Sequence, residues 1–381
     1  MKNPQLGGQL SARVADLHAS PIREILSVID RPGMVSFAGG LPAAETFPTF
    51  SLAAFPPALM QYGSSEGEPE LREQVAKDLN EIGLECSKDQ ILILSGSQQG
   101  IDLVAKLFID QGTSVAVESP TYLAALQVFR FFGARFRTFD PQEPHQAWSA
   151  DQRPSFAYTI PTFQNPTGRC YSADERDALA RSCDVQGVPL FEDDPYRDLA
   201  YDECDRTPIC ARITRAPWIY QGSFSKSLAP GLRLGFLAAS VDLITYLTRL
   251  KQAADLHSSR MSQWLVLEQL RDPNRKDRLA RLVATYRCKR DFFAQALERH
   301  LGKLATWQVP PGGLFFWLTL TRPIDTRTLL TEAIQRGVAF MPGEAFYPEL
   351  PTPCGSLRLN FSHADEEQTE RGLAILATLL S

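Results

Sequence analysis

The chain has 381 residues, of which 44% are apolar and 22% charged, a composition typical of a globular protein with roughly two or three domains. The net charge is −5, so no basic field favours binding to nucleic acid. The sequence contains no apolar run long enough for a membrane span and no apolar signal-peptide core. The seven cysteines and five histidines show no metal-ligand spacing, so we expect no metal site, free thiols and a cytoplasmic protein.

Short apolar runs alternate with amphipathic stretches from about residue 90 onward. We predict helices after the first two runs and strands at residues 90–94, 114–117, 155–160, 188–191, 218–220 and 234–239. Such alternation predicts βαβ units and a mostly parallel sheet. Ligands of these sheets lie beyond the carboxyl ends of the strands, which is where the candidate functional residues of this chain occur.

The last third of the chain has a different pattern. Residues 241–300 are helical and charged, with a long amphipathic helix predicted from near Arg281 to Leu301. Strands at 314–320 and 357–361 and a closing helix follow. This part of the chain predicts a second, smaller α+β domain.

A lysine, Lys226, follows the predicted strand at 218–220, directly after Ser223-Phe-Ser225. Arg233 comes seven residues later, beyond a Pro-Gly turn. Hydroxyl groups and a fixed guanidinium suit a phosphate group, and a lysine beside that phosphate can form a Schiff base with an aldehyde. Pyridoxal phosphate carries both groups. The segment therefore predicts a site for this cofactor, and a solvated surface lysine is the alternative.

A carboxylate and a phenol follow the predicted strand at 188–191, in the segment Phe191-Glu-Asp-Asp-Pro-Tyr196. Asp193 is a candidate partner for the pyridine nitrogen of the cofactor, because an opposite charge favours the protonated form of that nitrogen. The protonated ring then accepts electrons from the substrate. Tyr196 is placed to reach the phenolic oxygen of the ring. The alternative is that these acids are merely solvated at the end of the strand.

Three further features add candidates to this site. Ser97 and Gln98 open a predicted helix, and their backbone N–H groups suit a phosphate. Asn165, in an Asn-Pro-Thr-Gly sequence, is a candidate hydrogen-bond donor to the phenolate oxygen, although such sequences are also common turns. Tyr122 is a candidate aromatic cover for the ring or an ordinary core residue.

The order of these residues resembles that of fold-type I pyridoxal-phosphate-dependent aminotransferases of class I/II. Within this class the chain is most similar to the branch that holds 2-aminoadipate and kynurenine aminotransferases. The resemblance rests on Ser-x-Ser-Lys with an arginine seven residues later, on Asn-Pro-Thr-Gly and on Asp-x-x-Tyr. It runs over nearly the whole chain, from residues 20–23 and 37–42 to residues 357–362.

The resemblance implies an α/β fold of the type I transferases. A large domain with a mostly parallel seven-stranded sheet and a smaller α+β C-terminal domain are expected. The implied division is residues 1–40 as an N-terminal segment that belongs to the small domain and covers the active site, 41–275 as the large cofactor-binding domain, and 276–381 as the small domain.

The resemblance also implies a role for each cofactor residue. Lys226 is the lysine that binds the cofactor covalently and moves protons, and Asp193 pairs with the pyridinium. Tyr122 stacks on the ring, while Asn165 and Tyr196 hold the phenolate oxygen. The phosphate is held by Ser97, Gln98, Ser223, Ser225 and Arg233.

For the substrate, the resemblance implies that Arg358 binds the α-carboxylate, with Asn165, Gly39 and Gly40 nearby. Tyr62 matches a tyrosine that reaches the phosphate from the neighbouring subunit of a homodimer. Many relatives have a proline shortly after this tyrosine, whereas this chain continues Gly-Ser-Ser-Glu-Gly. Arg23 is either a partner for a distal substrate carboxylate or a solvated arginine in a first helical turn.

The implied activity is transfer of the amino group of an L-amino acid to a 2-oxo acid by a ping-pong mechanism, with 2-oxoglutarate expected as an acceptor. One alternative is another reaction of the same cofactor, such as elimination, decarboxylation or oxidation, because the cofactor-holding residues do not distinguish these outcomes. A second is a cofactor-sensing regulatory protein. Regulators of this type carry a DNA-binding region ahead of the aminotransferase-like part, where this chain has only about 30 residues.

Overall fold

The computed structural model describes residues 11–15, 33–144, 148, 153–349, 351 and 355–381. Arg23 lies outside the described residues. The strands are β1 (Val35–Ser36), β2 (Ile91–Leu94), β3 (Ser114–Val117), β4 (Arg135–Thr138), β5 (Phe156–Thr159), β6 (Leu190–Asp193), β7 (Trp218–Ser223), β8 (Gly235–Ala239), β9 (Ala305–Trp307), β10 (Phe315–Leu320), β11 (Val338–Ala339), β12 (Met341–Pro342) and β13 (Ser356–Asn360).

The α-helices of the described residues are α1 (Ala12–Ala15), α2 (Pro69–Glu81), α3 (Ser97–Phe108), α4 (Leu123–Phe132), α5 (Ala173–Gln186), α6 (Val241–Asp255), α7 (Arg260–Arg271), α8 (Arg275–Leu301), α9 (Thr326–Gln335) and α10 (Glu366–Leu380). Local sequence explains several of their ends. Ser172 and Glu175 form a capping box at the start of α5, and Gly187 ends that helix in the left-handed conformation. Among the described residues, no helix is both long and apolar enough to cross a membrane.

Seven strands form the central sheet, in the order β2-β8-β7-β6-β5-β3-β4. All neighbouring pairs are parallel except those of β8, which runs antiparallel to both β2 and β7. The predicted α/β fold with a mostly parallel seven-stranded sheet is confirmed. Strand β4 was not predicted, because it lies at the edge of the sheet and its sequence, Arg-Phe-Arg-Thr, is not an apolar run.

Helices cover both faces of this sheet, which explains why its inner strands are apolar along their whole length. In β2, Leu92 and Leu94 pack on one face with residues of α3, α4 and α6, such as Val104. Ile91 and Ile93 pack on the other face with residues of α2, α5 and α7. Because successive side chains of β2 point to opposite faces of the sheet, the strand contributes to the cores on both faces, and all four of its residues are buried.

A second sheet has the antiparallel order β12-β13-β10-β9. Its core includes Phe316 and Leu359 from the sheet, Phe293 and Leu297 from α8, and Leu376 from α10. Helix α8 begins at Arg275, six residues before the predicted start. The prediction missed these first turns because their charged residues show no apolar periodicity. The smaller α+β unit is thus present, and the residue boundaries between domains remain predictions.

Strand β1 ties residues 33–40 to this smaller unit. It pairs in parallel with β11, and the backbone of Phe37 bonds to Ala339 and to Asn360, each at 2.8 Å. These bonds carry Ala38 and Gly40 over the carboxyl edge of the central sheet, where the candidate site lies.

Candidate active site

A cavity of about 180 Å³ opens where the parallel strands of the central sheet end. Its lining residues are Ser97, Gln98, Tyr122, Ile160, Asn165, Asp193, Pro195, Tyr196, Ser223, Ser225, Lys226 and Arg233. Ile160 and Pro195 were not predicted, and the other ten were chosen from the sequence as cofactor residues. The fold therefore gathers around one cavity residues that lie far apart in the chain.

One end of the cavity is built to hold an anion. Helix α3 begins here at Ser97, after Gly96 with a φ of +86°. A Cβ atom on Gly96 would lie 2.6 Å from Nη2 of Arg233, so only glycine lets the guanidinium approach the helix start this closely. On the other side, the backbone N–H of Ser225 donates to the hydroxyl of Ser223 at 3.2 Å. Free helical N–H groups, a guanidinium and hydroxyls together suit a phosphate group.

Lys226 lies in the wall of the cavity, shortly after β7 ends. Its Nζ donates to the backbone carbonyl of Gly40 at 2.7 Å. Removal from water lowers the pKa of this amine to about 8, and the positive charges of Arg358 and Arg233 act in the same direction. A substantial fraction of the side chain is therefore a neutral, nucleophilic amine at neutral to mildly basic pH.

The cavity is also lined by the buried carboxyl group of Asp193, the last residue of β6. Its two oxygens accept hydrogen bonds from the hydroxyl of Tyr158 at 3.0 Å and from the side-chain amide of Gln221 at 2.8 Å. Burial raises the pKa of Asp193 to about 6, and these two donors oppose the rise. The group is thus largely ionised at neutral pH and suits a cationic ring nitrogen.

Asn165, Tyr196 and Arg358 form a chain of hydrogen bonds beside the cavity. The amide of Asn165 donates to the hydroxyl of Tyr196 at 3.3 Å, and its oxygen accepts from Nη1 of Arg358 at 2.7 Å. Arg358 also donates to the carbonyl of Ala38, and its guanidinium carbon lies 4.1 Å from the ring centroid of Phe315.

The guanidinium of Arg358 is nearly fully buried, which lowers its pKa to about 10. Its Nε atom has no hydrogen-bond partner, and no acid of the described residues forms an ion pair with it. A buried cation without an acidic partner is costly, so this position is open to an anionic group from outside the chain.

The remaining predicted residues lie elsewhere. Gly40 lies beside Lys226, and a Cβ atom on it would be 3.0 Å from the ring of Phe315. Tyr62 is 76% exposed, lies outside the cavity and contacts the ring of His257 edge-on. A side chain that serves a neighbouring subunit must be exposed in a single chain, so this position leaves the prediction for Tyr62 open.

Sequence reasoning missed Tyr158 and Gln221, which hold the carboxylate of Asp193. Tyr158 lies in β5 and Gln221 in β7, and both side chains are fully buried. A polar group within or directly after a run predicted to be a buried strand was the available signal, because buried polar groups require partners.

The whole arrangement fits pyridoxal phosphate. A cationic group with free N–H groups suits the phosphate, a lysine of lowered pKa suits the aldehyde, and a buried carboxylate suits the ring nitrogen.

A model of the family described as aminotransferase class I and II matches residues 43–376 of the chain. The chain belongs to this family. A 2-aminoadipate transaminase of Thermus thermophilus is 37% identical, and the match covers 96% of this chain and 94% of that protein. The crystal structure of Pyrococcus horikoshii kynurenine aminotransferase has a TM-score of 0.90 at 32% identity and covers 99% of this chain and 98% of its own.

The structure of an α-aminoadipate aminotransferase of Thermus thermophilus, complexed with N-(5′-phosphopyridoxyl)-L-leucine, has a TM-score of 0.87 at 35% identity and covers 97% of each chain. The predicted family, fold type and cofactor are confirmed. The protein is an aminotransferase that depends on pyridoxal phosphate.

Proposed function

We propose that the cavity residues carry out amino transfer in the roles predicted for them from the sequence. The observation that carries this proposal is the position of Lys226. Its amine has a pKa lowered to about 8 and lies in the same cavity as the anion-binding residues and the carboxylate of Asp193. A lysine in such surroundings is suited to both covalent binding and proton transfer.

The cofactor residues divide by the charge that they offer. The start of α3 and the Arg233 guanidinium would hold the phosphate, and Asp193 would keep the ring nitrogen protonated. Asn165 and Tyr196 would orient the ring through its phenolic oxygen. When bound, pyridoxal phosphate supplies an electrophilic carbon and a ring that accepts electrons.

Lys226 is the group that moves the proton. Its Nζ removes a proton from the α-carbon of the amino acid and later returns it, which requires a neutral amine. The lowered pKa makes that form available near neutral pH. A lysine in water, with a pKa of about 10.4, would be almost wholly protonated under the same conditions.

Arg358 would bind the α-carboxylate of the substrate. Its planar fork matches a carboxylate through two parallel hydrogen bonds, and its position against the ring of Phe315 limits its movement. Asn165 bonds to the same guanidinium and would thereby link recognition of substrate and cofactor.

We further infer that 2-oxoglutarate is an acceptor, and that Arg23 contacts a distal carboxylate of acidic substrates. The similarity to enzymes named for 2-aminoadipate supports an acidic substrate. We also infer a homodimer in which Tyr62 completes the site of the partner. A cytoplasmic location is supported by the thiols, since the six cysteines of the described part are free.

A screen of half-reactions tests the proposed function. Holoenzyme is mixed with one amino acid at a time while the cofactor absorbance and the products are followed. We expect glutamate to give the 2-oxo acid, with the amino group retained on the protein-bound cofactor. Release of ammonia or carbon dioxide in proportion to turnover would instead identify elimination or decarboxylation.

The same screen tests Arg23. Arg23→Ala should lose activity with glutamate while a neutral amino acid keeps most of its rate. Equal losses for both substrates, or no loss, would remove Arg23 from the specificity site.

A further inference from the structure

Gln221, in strand β7 of the central sheet, contacts the candidate active site through Asp193. Membership of the family does not by itself explain this contact. Its side chain is fully buried. Its Nε2 donates to Oδ1 of Asp193 at 2.8 Å, from the strand that pairs with β6. Tyr158, on the strand at the other side of β6, donates to Oδ2 at 3.0 Å. The carboxylate is thus held from both neighbouring strands.

The orientation of this amide is informative. The Oε1 atom of Gln221 is buried without a hydrogen-bond partner. Turning the amide over would place that oxygen against the carboxylate of Asp193, which is repulsive, so the N–H group faces the acid. An apolar residue at position 221 would leave no unpartnered oxygen. The presence of glutamine there therefore indicates that donation to Asp193 is needed.

The neighbouring helix leaves room for this amide. A Cβ atom on Gly100, in α3, would lie 1.8 Å from Oε1 of Gln221. Glycine destabilises the interior of a helix relative to alanine. The space that the amide of Gln221 requires explains why glycine occurs at position 100 all the same.

We propose that Gln221 is a positioning residue for Asp193, which it holds in the ionised form and in the orientation that faces the cofactor ring. Each carboxylate oxygen keeps a further lone pair, so both donors can stay bonded while the acid meets the ring nitrogen. The inference rests on the proposed role of Asp193, and the test below separates the two.

The effect on pH dependence has a definite sign. Burial and the charge of Asp194 raise the pKa of Asp193, whereas Gln221 and Tyr158 lower it. Tyr122 and Tyr196 also face the acid and stay neutral, because burial raises their pKa values. Without Gln221 the pKa of Asp193 rises above its present value of about 6. The acid is then protonated at a higher pH and its attraction for a pyridinium is lost earlier as the pH falls.

The test is a titration of the full chain, freed of cofactor, with pyridoxal phosphate at a series of pH values between about 5 and 8, followed by quenching of protein fluorescence. Gln221→Leu keeps the volume and removes the donor. We expect affinity near pH 7 to fall about tenfold, as for the loss of one hydrogen bond to a charged group, and the midpoint of the pH dependence to move upward. Tyr158→Phe should act in the same direction.

Two controls make the outcome decisive. Gln90→Leu removes a glutamine at the far end of the same sheet, where its amide donates to the carbonyl of Ala239, and should leave both quantities unchanged. Gly100→Ala keeps the glutamine but displaces its amide, so it should reproduce the shift seen in Gln221→Leu. Thermal unfolding of each variant verifies that it is folded.

Asp193→Asn separates this inference from the proposed function. If that variant binds the cofactor as tightly as the wild type at every pH, the proposed role of Asp193 is wrong. A different outcome is that Asp193→Asn binds the cofactor weakly, while Gln221→Leu and Gly100→Ala are folded and keep the wild-type affinity and pH midpoint. In that case the proposed role of Gln221 is wrong.

Discussion

Three charged side chains at the cavity, Lys226, Arg358 and Asp193, are shifted toward their neutral forms by burial. The pKa of Lys226 falls to about 8, that of Arg358 falls to about 10, and that of Asp193 rises to about 6. Ionised groups are costly in such a place unless a partner is present. In the roles proposed for these residues, the substrate carboxylate and the cofactor bring opposite charges, and their binding would relieve this cost.

The first prediction concerns the amine of Lys226. In the full chain freed of cofactor, its reaction with a small acylating reagent should increase with pH around a midpoint near 8, because the neutral amine is the reactive form. Mass spectrometry of the peptide that contains Lys226 measures the rate, and the exposed lysines of the same sample provide the reference. A midpoint of about 10.4, as for a lysine in water, would contradict the lowered pKa.

The second prediction concerns Arg358. Arg358→Lys should raise KM for both the amino acid and the 2-oxo acid, by roughly 10- to 100-fold, because an ammonium group cannot make two parallel bonds to a carboxylate. Arg336, an exposed arginine that directly follows α9 and pairs with Glu332, provides the matched control, and Arg336→Lys should change neither constant. Unchanged KM values for both substrates of Arg358→Lys would show that another group binds the α-carboxylate.

At the scale of elements, one arginine joins the start of α7 to the loop that carries Tyr62. Nη1 of Arg260 donates to the carbonyls of Ala58, Gln61 and Tyr62 at 3.1–3.2 Å, and its other nitrogens bind the carboxylate of Glu68. Gly-Ser-Ser-Glu-Gly follows Tyr62, so no proline ring restrains the backbone there. The hydrogen bonds of one guanidinium restrain this loop instead.

The third prediction follows from this clamp. Arg260→Lys should destabilise the loop by about 1–2 kcal/mol, since an ammonium group cannot reach both the three carbonyls and Glu68. Limited proteolysis should then cut within residues 56–63 faster than in the wild type. Arg271→Lys, at the far end of the same helix and paired with exposed Glu70, serves as the control. Equal cutting of all three proteins would show that the clamp does not hold the loop.

At the scale of the whole molecule, the same loop region exposes several apolar side chains. Leu52, Met60 and Tyr62 are exposed, as are Leu256 and Met261 on the adjoining helical segment. Grouped exposed apolar side chains of this kind mark interaction surfaces. Their position around Tyr62 supports the proposed homodimer, in which this surface would meet the cavity of a second copy.

The fourth prediction tests sharing of sites between subunits. Tyr62→Ala and Lys226→Ala proteins should each be nearly inactive alone. After subunit exchange, a mixed dimer contains one site with both intact residues if Tyr62 serves the partner, so activity should return to about a quarter of the wild type in an equal mixture. Native mass spectrometry verifies the exchange. Continued inactivity of verified mixed dimers would place Tyr62 in the site of its own chain, whereas full activity of Tyr62→Ala alone would place it outside any site.

Local sequence alone determined the cofactor, the family resemblance and most strands of the central sheet. This was possible because a strand buried on both faces is an uninterrupted apolar run, and because the motifs around Lys226, Asn165 and Asp193 are each contiguous in the chain. Edge strand β4 and the charged start of α8 escaped the same reasoning, since neither has an apolar pattern.

The tertiary structure decided how those motifs act on each other. Only the pairing of β5, β6 and β7 turns Tyr158 and Gln221 onto Asp193, and only the crossing of residues 38–40 over the sheet edge brings backbone carbonyls to Lys226 and Arg358. The pKa shifts depend likewise on burial, which is a property of the packed molecule. A sequence specifies which groups are available, whereas their distances and their exposure to water arise from contacts between residues far apart in the chain.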